Sequence, residues 1–264
     1  MRRESERSVR HEFQHLIYTS EGKLATIRFN RPERLNAMSF PAKHDLKAAL
    51  ELAAGDDAVR VLALRGEGRA FCTGIDLKDL STGKIGADNF ALWEDCLRLI
   101  ETMDKLVIAL MHGYALGGGV QLGLACDLRI GTPTAKYGLP AAKEGLLPGL
   151  AVWRLARFVG MGRAKELALW GEPIDGNEAL RIGLVTRLVS DENRDAEFDA
   201  YVAKTVANAS QGARATKRAM NLAATADFEA ALELYMDFQR KGLASDDFAE
   251  AMRAYREKRD ARWG

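Results

Sequence analysis

Three consecutive glycines, Gly117, Gly118 and Gly119, stand in the stretch "HGYALGGGVQLGLACDLRI" (112–130), between the apolar run "LVIAL" (106–110) and an apolar helical pattern. Glycine costs a helix about 1 kcal/mol per residue relative to alanine, so three in a row at a helix start mark a place that needs bare backbone. A helix start also leaves N–H groups unpaired and favours negative charge. Upstream, "VLALRGEGRAFCTGIDLKDL" (61–80) repeats the layout, passing from an apolar strand through glycines into a polar segment. Two N–H groups brought to one point by two such turns make an oxyanion hole, which stabilises charge developing on a carbonyl oxygen. The spacing argues against commoner glycine loops. No GxGxxG follows the strand and no GK[ST] follows the glycines, so neither a dinucleotide loop nor a P-loop is indicated. Taken alone, the triple glycine also fits tight helix–sheet packing. The upstream "FCTGID" (71–76) is what favours an anion site.

The elements that must hold these turns read as α/β. Residues 15–19 and 24–30 form a strand pair around Glu21-Gly22, and Ser39 or Pro41 opens a helix over 42–54. "VRVLALRG" (59–66) and "LVIAL" are buried strands, the second preceded by a helical run over about 89–104. "CDLRIGT" (126–132) returns as a strand after the glycine helix. Strands alternating with helices predict a largely parallel sheet covered on both faces. From about 197 onward only helical patterns appear, broken near Gly212, Ala226-Asp227 and Gly242. The expected division is a core over 1–195, with 1–14 as a mobile charged arm, and a helical oligomerisation region over 196–264.

Composition limits the partners. The chain has 264 residues, with 38 Lys+Arg against 37 Asp+Glu, so bulk charge points to neither nucleic acid nor a membrane surface. No apolar run reaches transmembrane length, and the charged start lacks the apolar segment of a secretory signal. Three cysteines with no metal-ligand spacing predict a reduced, cytoplasmic protein without a metal site.

"AFCTGIDLKDL" with "HGYALGGGVQLGLACDLRI" resembles the crotonase superfamily, the enoyl-CoA hydratase/isomerase group. "IRFNRPERLNAM" (27–38), "GEPIDGNEALRIGLVTRLV" (171–189) and "SDDFAEAMRAYREKR" (245–259) extend the resemblance over most of the chain. It implies an α/β spiral of ββα units with a helical C-terminal region, a homotrimer or dimer of trimers, and acyl-CoA thioester substrates with no separate cofactor. It also implies a first step in which two backbone N–H groups hold the thioester oxygen as an enolate forms. By position these are the N–H groups of Ile75, after Gly74, and of Gly118, after Gly117. The thioester and its CoA would be lined by Arg34, Cys72, Gly74, Asp76, Lys78, Gly117 and Ala141, with Lys258 reaching a neighbour's CoA from the last helix. Trp93 and Trp153 are candidates for the acyl channel.

The chain departs from the group where hydratases carry two glutamates. Three residues after the donor glycine stands Gln121, and the position after Pro140 is Ala141. Where other members place an aspartate this chain has Gly149. An amide is no general base near neutral pH, and a methyl group cannot move a proton. Gln121 can still orient a water or hold a substrate carbonyl, and Glu144, three residues past Ala141 and so on the same side of a helical turn, is the other catalytic candidate. The segment "LPAAKEGLLPGLAVWRL" (139–155) is also similar to a branch containing a cofactor-independent oxygenase. Enolate chemistry on an acyl-CoA is therefore the expected function, as isomerase, specialised hydratase or lyase. An oxygenase-like, decarboxylase or hydrolase step and a non-catalytic acyl-CoA-binding subunit remain as alternatives.

Overall fold

A computed structural model describes residues 8–83 and 85–263. Nine strands are seen among them: β1 (Ser8–Glu12), β2 (Leu16–Glu21), β3 (Leu24–Phe29), β4 (Val61–Gly66), β5 (Leu106–Met111), β6 (Tyr114–Leu116), β7 (Leu128–Gly131), β8 (Lys136–Gly138) and β9 (Arg187–Leu188). Seven form one sheet in the order β1-β2-β3-β4-β5-β7-β9, antiparallel as far as β3 and parallel from there on. The parallel strands β4 and β5 read as near-continuous apolar runs because both of their faces are covered.

Each parallel strand is followed by a short extended return and then a helix. The returns form a second layer: Met38 bridges Ile75, Cys72 bridges Ala115, and β6 pairs with β8 in parallel. The helices that follow them are α1 (Phe40–Gly55), α2 (Leu77–Ser81) with α3 (Ala87–Thr102), α4 (Gly118–Ala125), and α5 (Ala151–Val159). The strand–glycine–helix layout seen twice in the sequence thus recurs around the molecule. Ser39 is the N-cap of α1, its hydroxyl accepting from the Ala42 N–H, and Pro41 occupies the first turn, where a missing N–H costs nothing.

Two features depart from the sequence reading. Residues 8–12 are not a loose arm but the edge strand β1, paired along its length with β2. An edge strand tolerates charged side chains because one flank is open to water; residues 1–7 of the expected arm lie outside the described residues. The division at 195 also cuts through α8 (Arg194–Ala207), which belongs to the core. Its Phe198 and Val202 pack with Val61, Ala63, Ile108 and Leu110 on the outer face of the sheet. Beyond it, α9 (Gln211–Ala223), α10 (Phe228–Leu243) and α11 (Asp246–Glu257) are covered only thinly. Among the described residues α10 buries none of its side chains. Leu222, Phe228, Leu232, Tyr235, Met236, Leu243 and Tyr255 are all exposed in the single chain. No described helix is long and apolar enough to cross a membrane.

Candidate active site

The two glycine turns meet. Gly74 has φ +82°, and a Cβ built on it would lie 2.5 Å from the backbone nitrogen of Gly118 and 2.9 Å from the Leu116 carbonyl oxygen. A Cβ on Gly118 would lie 3.0 Å from the Gly74 Cα. Only two bare backbones can approach this closely, which is the physical need behind both glycine motifs. Gly117, with φ +51°, turns the chain into α4, leaving Gly118 as the first helical residue, whose N–H has no partner within the helix. Ile75 is held on its other side: Met38 N–H donates to Gly74 O and Asp76 N–H donates to Met38 O, so the Ile75 N–H points away from that bridge. Neither N–H donates to any described residue.

A cleft of about 940 Å³ opens on this point. Its wall includes Gly74, Ile75, Gly117 and Gly118, and the structure brings Arg34, Asp76, Lys78, Gln121, Ala141 and Glu144 to the same wall. Ala141 and Glu144 share a 3-10 turn (Pro140–Glu144), with Ala141 buried and Glu144 exposed. Asp76 is the hub of one rim. Its carboxylate accepts from Arg34 Nη2 at 3.1 Å, Arg31 Nη2 at 3.3 Å and the Lys78 N–H at 3.1 Å, so it both caps α2 and fixes Arg34. Burial works against the Asp76 anion, but the hydrogen bonds from Arg34 and Lys78 and the two guanidinium charges outweigh it and hold its carboxyl below the usual range.

Several sequence candidates lie elsewhere. Cys72 does not line the cleft; it is fully buried behind the turn, its sulfur accepting from the Gly74 N–H at 3.4 Å, and burial pushes its thiol up to about 12. Lys258 stands at the end of α11, in left-handed backbone at φ +53°, and does not reach this chain's cleft. Trp153 is on the surface under the Arg157 guanidinium, 3.4 Å from its ring centre, while Trp93 does line the cleft. All three described thiols are unpaired and buried, and among the described residues no group of three His, Cys, Asp or Glu is placed to hold a metal ion.

Among the lining residues that the sequence reading passed over are Lys43, Arg69 and Glu94. Glu94, from α3, accepts from the Leu150 N–H at 2.9 Å and from Arg154 Nη1 at 2.7 Å. Arg154 is only 4% exposed and also holds Glu101, its Nε donating to a carboxylate oxygen at 2.6 Å. A Cβ on Gly149 would lie 2.5 Å from Gln121 Oε1 and 3.2 Å from a Glu94 carboxylate oxygen. The Gln121 amide and the Glu94 carboxylate therefore converge over Gly149, filling the space a side chain at 149 would take. Glu94 was not legible because its partners are 56 and 60 residues away. Lys43 had a readable signal: it shares the spacing 43, 46, 50 with Leu46 and Leu50 on the buried face of α1.

The sequence profile of the enoyl-CoA hydratase/isomerase family matches residues 19–264. A crotonyl-CoA hydratase of Syntrophomonas wolfei is 35% identical over 253 residues, covering 94% of this chain and 97% of the relative. The chain belongs to the enoyl-CoA hydratase/isomerase family. A short-chain-enoyl-CoA hydratase of Clostridium acetobutylicum is 32% identical over 252 residues, with 94% and 97% covered. Among solved structures, an enoyl-CoA hydratase of Bacillus anthracis superposes with a TM-score of 0.85 at 27% identity, covering 97% of this chain and 98% of that one. One from Mycobacterium smegmatis gives 0.84 at 28% identity with the same coverage. The fold is accordingly the α/β crotonase fold, and the glycine pair lies where the two repeating units of this family member touch.

Proposed function

We propose that this protein converts acyl-CoA thioesters through an enolate whose oxygen is held by the N–H groups of Ile75 and Gly118. The contact between Gly74 and Gly118 carries the reading: it brings together two turns on the cleft wall whose Ile75 and Gly118 N–H groups have no partner among the described residues. Charge grows on a thioester oxygen as an α-proton leaves or as water adds at the β-carbon. Donors already fixed by the fold stabilise that charge without reorganising. Arg34, Lys78 and Arg69 give the cleft a basic side suited to CoA phosphates, with Arg34 fixed by Asp76. The names of the similar proteins favour addition or removal of water on a short enoyl-CoA.

The polar groups next to the hole set the balance of proton chemistry. Gln121 orients a water or a carbonyl but takes no proton, and Ala141 does neither. Glu94 is the carboxylate beside Gln121, and it accepts from Arg154 Nη1 and from the Leu150 N–H. General acid/base groups contribute about 10²–10⁴ each, so crotonyl-CoA hydration is expected to be slow, and α-proton exchange to proceed to the extent that Glu94 supplies the base. Loss of enoyl-thioester absorbance reads the first, and deuterium uptake by butyryl-CoA in heavy water reads the second. Exchange supports an enolate enzyme. A protein that binds CoA thioesters yet neither exchanges nor hydrates them is an acyl-CoA-binding subunit, and the proposal fails.

We also propose that the protein is a trimer or a pair of trimers. The exposed apolar side chains of α9, α10 and α11 support this, because obligate interfaces bury on the order of 2,000 Å² or more of mainly apolar surface. Light scattering after size exclusion tests it. A particle of 29.0 kDa that persists on concentration would show that this surface stays open.

A further inference from the structure

Lys43 is 3% exposed, yet it lines the cleft. Its ammonium has three hydrogens and only one residue to satisfy them. It donates to Asn89 Oδ1, and to the Asn89 carbonyl oxygen at 3.3 Å. Among the described residues no carboxylate is paired with it. Of the acids on the cleft wall, Asp76 is committed to Arg34 and Arg31, and Glu94, like Glu101 behind it, to Arg154, while Glu33 and Glu144 stand exposed to solvent and pair with no described cation. The nearby thiols of Cys72 and Cys96, both pushed by burial up to about 12, supply no anion either. Burial depresses the Lys43 ammonium to about 8, which still leaves it charged at neutral pH.

The groups around it are donors too. Nζ stands 5.5 Å from the Trp93 ring centre and 5.9 Å from that of Phe90. The Trp93 edge that carries the indole nitrogen faces the hole, with Cζ2 3.2 Å and Cε2 3.5 Å from a Cβ built on Gly118. Trp93 Nε1 and Asn89 Nδ2 are buried without a partner. The Asn89 amide orientation is fixed by Lys43, because an ammonium can only donate. One indole thus separates the oxyanion donors from a buried cation whose described acceptors are the two neutral oxygens of Asn89, with two more unfilled donors beside it and no anionic partner among the described residues. An uncompensated buried charge is costly, and here the missing acceptor can enter only through the cleft.

We propose that Lys43 is a specificity determinant that receives a carboxylate carried on the acyl chain, so that the preferred substrate is the CoA monothioester of a dicarboxylic acid. The inference rests on the acyl-CoA reading above. A thioester oxygen at Ile75 and Gly118 leaves the acyl chain running along Trp93 toward Nζ. The phenyl face of Phe90 and the indole exclude water there and strengthen the ion pair.

Calorimetry with the full chain and two probes tests this: crotonyl-CoA, and glutaconyl-CoA, which has the same enoyl frame ending in a carboxylate. The wild-type protein is expected to bind glutaconyl-CoA about 10²-fold more tightly, the range for a buried charge pair. Lys43→Met, which removes the buried cation and keeps the chain length, is expected to bring the ratio of the two affinities close to one, and Lys43→Arg to retain a preference. Equal affinities in the wild-type protein, or a preference that survives in Lys43→Met, would overturn the assignment while leaving the acyl-CoA reading intact. Binding of neither thioester would remove that reading and the assignment with it.

Discussion

Gly74→Ala is expected to lower kcat by about 10²–10³-fold, the cost of losing one oxyanion donor. Gly74 sits at φ +82°, where an L side chain is strained, and the new Cβ would stand 2.5 Å from the Gly118 nitrogen. The Cβ position is fixed by the backbone and the nitrogen belongs to it, so neither can rotate away. The two turns must separate, and with them the two N–H groups proposed to share the thioester oxygen. A loss in kcat with KM for CoA thioesters nearly unchanged is the signature of a donor that acts mainly on the transition state. The control is Gly22→Ala, which has φ +53° but nothing within 4 Å, at the β2–β3 turn. It carries comparable backbone strain with no second backbone to push. Steady-state kinetics on both variants decide between a lost donor and general strain. Equal kcat values for Gly74→Ala and wild type would place the donors elsewhere.

The second large effect falls on stability. Arg154→Met is expected to cost about 3–5 kcal/mol, because it strands two carboxylates in the space between α3 and α5. Arg154 contacts Glu101 through Nε at 2.6 Å and Nη2 at 3.4 Å, and Glu94 through Nη1 at 2.7 Å. Removing the guanidinium leaves both anions with their desolvation, Glu94 without a counter-charge and Glu101 with only Arg98 Nη1 at 3.4 Å. The triple change Arg154→Met, Glu94→Gln, Glu101→Gln removes all three charges and is expected to recover most of the loss, since a whole buried network is often replaceable where half of one is not. Denaturant unfolding of the single and triple variants reads this directly. A single variant within about 1 kcal/mol of wild type would mean that water reaches these carboxylates freely.

The close meeting of the two turns was legible because it depends on backbone. A glycine is readable as a letter, and at Gly74, Gly117 and Gly118 no other letter fits the φ values or the close approach. Alternating apolar runs and helical periods gave the parallel sheet, and Ser39 announced its helix. The edge strand β1 was hidden by its own charges, because pairing at an open edge is made by backbone groups that composition does not report. Lys43 was half visible, as a charged residue in an apolar helical stripe. Its environment was not, since Asn89, Phe90 and Trp93 come from another helix some fifty residues on.

By itself the sequence determined the bare turns, the order of the elements and the absence of glutamate at positions 121 and 141, because each is a property of single residues or of short periods. Only the tertiary structure decided which side chains share the cleft. It turned Cys72 inward, left Lys258 remote, set Glu94 beside Gln121 over Gly149, and buried the Lys43 cation without an anion. Such pairings are made between elements that the chain brings together only after the sheet is wound. Their energies come from desolvation and Coulomb terms that depend on what else occupies that space.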